Sequence, residues 1–198
     1  MPFDFSCRNL WMSTYSPSLQ SENQANDNSC PSIFQSPGRY IQKQGILEDL
    51  ASYLTYLNAK CAAILVSSSA EQRFGDAITK SFSKHGISTT FYKFVGESSW
   101  EEIERLVQEI KLHGGDIIVS VGGGKTIDTG KGVAYLLKKP SVVVPTIASN
   151  DAPCSALSII YTPKGEFVKV FFFPENPAAV IVDTKLVAEA PVRYLVAG

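Results

Sequence analysis

Between residues 40 and 145 the chain alternates short β-rich apolar runs with longer segments whose apolar residues recur every three to four positions. The short runs fall at residues 62–67, 89–95, 116–121 and 141–145. The longer segments carry Ile46, Leu47, Leu50, Leu54 and Leu57, then Phe74, Ile78 and Phe82 within 70–84. Ile103, Leu106, Val107 and Ile110 follow, and a last helix is expected over 126–137. The first pattern marks strands and the second amphipathic helices. Punctuation agrees with it. Ser99 and Glu102 form a capping box, Gly86 fits a helix C-terminus, and Lys111 and His113 precede Gly114. Strands that are apolar at successive positions are buried on both faces. Alternation with helices therefore predicts an α/β fold, a parallel sheet flanked by helices.

After Pro145 the rhythm changes. Residues 156–162 and 166–172 flank Pro163-Lys164-Gly165, which predicts a β-hairpin insertion near 156–172. Residues 179–183 read as another strand. A short helix over 184–190 follows, capped by Asp183 or Thr184 and stopped by Pro191. At the other end, residues 1–35 are rich in Ser, Asn and Gln and read as a disordered tail. Up to Pro37 the tail has one base, Arg8, against Asp4, Glu22 and Asp27, unlike the Arg-rich pattern of a mitochondrial presequence. The reading is cytoplasmic, with mitochondrial targeting as the alternative.

Composition excludes several classes. Eighteen basic residues balance nineteen acidic ones, which argues against binding nucleic acid by phosphate neutralisation. No apolar run approaches the roughly 18–20 residues that span a bilayer. Cys7, Cys30, Cys61 and Cys154 form no CxxC pair, so neither a zinc cluster nor a disulfide framework is expected.

The richest local signal is Val121-Gly122-Gly123-Gly124-Lys125-Thr126-Ile127-Asp128, between a predicted strand and a predicted helix. Three glycines let a ligand approach the backbone, and a helix N-terminus offers N–H groups and partial positive charge to a phosphate. Lys125 could add a full charge. The loop matches neither standard phosphate motif. A P-loop needs its first glycine where Val119 stands, and GxGxxG needs its last where Ile127 stands. A ligand-free tight turn is the alternative. A second candidate runs from Pro145 to Pro153 and contains Thr146, Ser149 and Asp151. It either lines the same crevice or is an ordinary connection with Asx and Ser turns.

At these two loops the chain resembles the glycerol dehydrogenases of the metal-dependent, iron-containing-type alcohol dehydrogenase superfamily. The resemblance runs from Ser36-Pro37-Gly38-Arg39-Tyr40 through the glycine loop and Pro145-Thr146-Ile147-Ala148-Ser149. It continues through Asp151-Ala152-Pro153-Cys154-Ser155-Ala156-Leu157-Ser158, Ile160-Tyr161-Thr162 and Asn176-Pro177 to Asp183-Thr184 and Ala190-Pro191-Val192-Arg193. The dehydroquinate synthases and glycerol-1-phosphate dehydrogenases share the glycine loop. The resemblance implies a Rossmann-like, dehydroquinate synthase-like N-terminal domain over residues 36–191 that holds NAD. Gly122, Gly123, Gly124, Lys125, Thr126 and Asp128 would lie under the pyrophosphate. Thr146 and Ser149 would face the adenosine side, and Ser155, Leu157 and Tyr161 the nicotinamide side. Asp151 would bind glycerol, which the family oxidises to dihydroxyacetone.

Two departures accompany the resemblance. The family acid that bonds the adenosine ribose is replaced by Ser67, within Ser67-Ser68-Ser69, which removes the usual basis for preferring NAD over NADP. The family zinc is held by one Asp and two His in a helical C-terminal domain, expected here to be missing, with residues 192–198 its truncated start. His85 and His113 each precede a glycine at a predicted helix end and read as surface residues. No residue of the chain is thus given a catalytic or metal-binding role. Two functions are expected: a glycerol dehydrogenase acting on glycerol or a similar polyol, or a nucleotide-binding fragment without turnover. A homo-oligomer and a companion chain supplying the second half both remain open.

Overall fold

A computed structural model describes residues 34–197; apart from Phe34 and Gln35, the tail assigned to residues 1–35 lies outside the described residues, as does Gly198. Six strands form one sheet: β1 (Tyr40–Lys43), β2 (Cys61–Val66), β3 (Ser88–Lys93), β4 (Ile117–Gly122), β5 (Ser141–Pro145) and β8 (Ala179–Asp183). Their order is β1-β8-β5-β4-β2-β3, and every neighbouring pair is parallel. Strands β6 (Leu157–Tyr161) and β7 (Phe167–Phe172) make the antiparallel hairpin. The helices are α1 (Ser68–Lys84), α2 (Trp100–His113), α3 (Gly124–Leu137), α4 (Thr184–Ala188) and α5 (Val192–Ala197).

The side-chain period of two divides each central strand between two cores. Ala62, Ile64 and Val66 of β2, with Ile117, Val119 and Val121 of β4, pack beneath Ile78 and Phe82 of α1. Ala63, Leu65 and Ile118 point the other way, onto Ile103, Leu106 and Ile110 of α2 and Val133 of α3. Helices on both faces explain why these strands carry apolar residues at successive positions. The hairpin joins the second layer. Ile160 enters that core, and Phe171 stacks edge-on with Trp100 and Tyr135 at centroid distances of 5.2 and 5.5 Å.

Several local expectations change. Residues Ile46–Leu57 form 3-10 turns, broken at Asp49 (φ −134°), rather than a regular α-helix. Asp183 ties down their start: the carboxylate accepts the Gly45 and Leu47 N–H groups at 2.9 and 3.2 Å and caps α4 through Lys185 and Leu186. The segment's first turn is thereby tied to a distant strand end, while Leu50, Ala51 and Leu54 still face the core. The capping box is half formed. Ser99 Oγ accepts the Glu102 N–H at 3.2 Å, but the Glu102 carboxylate turns to Val95 N–H and Arg105. Helix α3 begins at Gly124, two residues before the expected start, and the short helix α4 ends at Ala188 rather than 190. The edge strand β1 had no sequence expectation; its four residues are too few to show a period.

Candidate functional site

Strand order creates the site. From β2 the chain goes to β3 on one side through α1, then crosses the other face through α2 to β4 on the opposite side of β2. The connections leaving the carboxyl ends of β2 and β4 therefore diverge. That is where open parallel sheets form ligand crevices. Here the crevice is an open cleft of about 160 Å³. Ser67, Ser69 and Arg73 line one wall, Gly122, Gly123 and Thr126 the floor, and Thr146 and Ile147 the opposite wall. Leu186 and Pro191 close one end.

The floor is a helix start of a particular kind. α1 and α2 are capped by serine side chains, Ser67 to Ala70 N–H and Ser99 to Glu102 N–H. α3 has Gly123 at that position, with no side-chain cap. Its first turn points its N–H groups and positive dipole end toward the crevice, which suits an anion. The three glycines are needed less for backbone freedom than for close packing, since Gly123 has an ordinary extended backbone (φ −88°). A Cβ on Gly122 would lie 2.7 Å from Thr126, one on Gly123 3.0 Å from Ile147, and one on Gly124 2.6 Å from Asn150. The loop is thus pressed against the connection after β5, so the two sequence candidates adjoin.

The residues named from sequence separate into two groups. Gly122, Gly123, Thr126 and Thr146 line the crevice. Gly124 lies beneath Asn150. Lys125 turns outward, and its ammonium pairs with Glu97 at 2.5 Å. Asp128 does not reach the crevice. It is buried beneath the loop, its Oδ2 accepting Ile159 N–H at 3.2 Å and its Oδ1 lying 3.0 Å from Lys131 Nζ. The physical reason is helical phase: Asp128 stands two residues after Thr126, on the side of α3 that meets the hairpin.

Ser155 and Leu157 collect around Lys131. Its Nζ donates to Ala152 O at 2.9 Å, to Ser155 Oγ at 3.3 Å and to Leu157 O. Burial pushes the Asp128 carboxyl up and the Lys131 ammonium down, each opposed by its partner's charge. Asp151 is exposed, and its carbonyl accepts Cys154 and Ser155 N–H in a tight turn. Ser149 is half-buried on the connection after β5, and Tyr161 N–H bonds Ser98 O at 2.8 Å on the hairpin side. Sequence reasoning missed Lys131 and Arg73. A lysine three residues after an aspartate on a mostly apolar helix was a usable signal for the first. Arg73 lies on an ordinary polar helix face and gave none.

Among the described residues, no three His, Cys, Asp or Glu side chains are grouped to hold a metal ion. His85 caps α1 and lies 3.8 Å from Asp49, and His113 ends α2. The metal implied by the resemblance thus finds no ligand set in the described part of the chain. The crevice itself suits a phosphate group. The crevice has an uncapped helix start, a floor that tolerates no Cβ, and a cation at one wall. Among the described residues, no helix is long and apolar enough to cross a membrane.

This is a parallel-sheet domain of the oxidoreductase class, and the chain belongs to the iron-containing alcohol dehydrogenase family, whose sequence profile matches residues 37–184. Within it, the relatives include glycerol dehydrogenases. The chain is 48% identical over 162 residues to glycerol dehydrogenase of Thermotoga maritima, covering 82% of this chain and 44% of that protein. It is 47% identical over 167 residues to that of Pseudomonas putida, covering 83% and 45%. The structure of glycerol dehydrogenase from Schizosaccharomyces pombe superposes with a TM-score of 0.79 at 36% identity, over 84% of this chain and 42% of that one. The chain therefore spans somewhat under half the length of these relatives and matches their N-terminal part.

Proposed function

We propose that the crevice binds a nicotinamide dinucleotide and that the chain serves the oxidation of glycerol to dihydroxyacetone. The observation that carries this reading is the uncapped start of α3 at the crevice floor. A bound nicotinamide supplies the hydride acceptor. The chain's own contribution is to seat the pyrophosphate on the Gly123–Thr126 backbone and to exclude side chains from that floor. Thr146 stands on the opposite wall. From below, Lys131 holds Ser155 and Leu157, and Asp128 holds Ile159 of the hairpin. That these relatives are glycerol dehydrogenases supports glycerol as substrate.

Binding is tested by titrating the 198-residue chain with NADH and following nicotinamide fluorescence. Enhancement is expected. A bulky replacement, Gly123→Trp, would fill the floor and press on Ile147, and should weaken binding at least tenfold. No response at millimolar NADH or NADPH overturns the reading. A second reading, nucleotide binding without turnover, is favoured by the two histidines standing apart at helix ends. Oxidising an unactivated secondary alcohol requires stabilising an alkoxide. Steady, chelator-sensitive NADH formation from glycerol by this chain supports the first reading. Binding with no turnover supports the second.

A further inference from the structure

We infer that the ribose end of this crevice selects the 2′-phosphorylated dinucleotide, NADP, over NAD; this rests on the dinucleotide reading proposed above. The wall after β2 is where a parallel-sheet crevice meets the adenosine ribose. A carboxylate there accepts from the ribose hydroxyls and repels a phosphate, whereas a nearby arginine accommodates the 2′-phosphate. This wall offers Ser67 and Ser69, with hydroxyls 3.1 Å apart, and Arg73 one turn along α1. No acidic residue is among those that line the crevice, and Arg73 is the cation that does. Two serine hydroxyls can each donate to a phosphate oxygen, and a guanidinium can take two at once.

Arg73 is free to do so. Its side chain is 56% exposed and stacks over its own neighbour Phe74, 4.7 Å from the ring centroid. Its counter-ion is Glu189, at 3.7 Å and 50% exposed, too open and too long to hold the guanidinium against a dianion. Glu189 lies beside the wall and not among its lining residues. Binding the phosphate would therefore exchange one weak surface pair for a stronger charge-assisted one.

The test compares NADPH and NADH titrations of the 198-residue chain, read by nicotinamide fluorescence, in three proteins. The unchanged chain should bind NADPH about tenfold more tightly than NADH, the size of one charge-assisted phosphate contact. Arg73→Gln should bring the ratio of the two affinities close to one. Ser67→Asp should reverse the ratio. It keeps the helix cap, because aspartate caps as well as serine, so a folding failure is not expected to obscure the result. Equal affinities, or tighter NADH, in the unchanged chain overturn the inference and leave the dinucleotide site standing. An Arg73→Gln variant that weakens both ligands equally also overturns it, because Arg73 would then serve the pyrophosphate. Binding of neither ligand overturns the site itself.

Discussion

Single residues decide how closely α3 can lie on the sheet. A Cβ on Gly130 would stand 1.7 Å from Ser120 Oγ and 2.9 Å from its Cβ, and one on Gly132 2.8 Å from Ile103. Alanine normally favours a helix interior by about 1 kcal/mol over glycine. Here the clash with fully buried Ser120 outweighs that gain. Gly130→Ala should lower stability by about 1–3 kcal/mol, measured as a shifted urea midpoint with unchanged slope. A stabilised variant would show that α3 can lift from β4 at little cost. The glycine loop was evident in the sequence as a cluster at a strand–helix junction. The need for Gly130 was not, because Ser120 reaches it only across the β4–α3 packing, and no local pattern encodes that contact.

Elements were largely readable, and their attachments were not. The alternation of runs and stripes located the central strands and long helices, because burial on both sheet faces writes itself into successive residues. The tie between the 3-10 segment and Asp183 escaped, because it comes from a distant strand end that no local pattern encodes. So did the clamp that docks the hairpin on α3. Lys131 is 4% exposed and holds three hairpin-side carbonyls while facing Asp128. Removing one member of such a pair leaves a buried charge uncompensated. Lys131→Met should destabilise by about 3–5 kcal/mol, and adding Asp128→Asn should recover part of the loss. The pair of denaturation curves checks this. The single variant should also weaken dinucleotide binding through Ser155 and Leu157; undiminished affinity would detach the hairpin from the site.

At the scale of the molecule, stability in acid depends on carboxylates that tie strands together. Asp116 accepts Lys60 and Cys61 N–H at 2.8 and 3.0 Å, fixing the start of β2 beside that of β4. These backbone donors hold its carboxyl below the ordinary 3.8. A depressed folded value means the stabilisation is complete above the unfolded value and is lost as pH falls through the folded one. Asp116→Asn should therefore be less stable than the unchanged chain at pH 7, with the gap closing as pH falls through the depressed folded value. Urea midpoints followed from pH 7 into acid test the sign.

The edge strand carries a consequence for how the fold is reached. β1 leaves the ribosome before every other strand of the described sheet, yet its strand partner is β8, and Gly45 meets Asp183 across 138 residues. During synthesis the segment around residues 40–47 must wait, unpaired, until nearly the whole sheet has emerged. The sheet is sealed last at the edge that is made first. The amides of the early strand should therefore be the last to gain exchange protection on refolding.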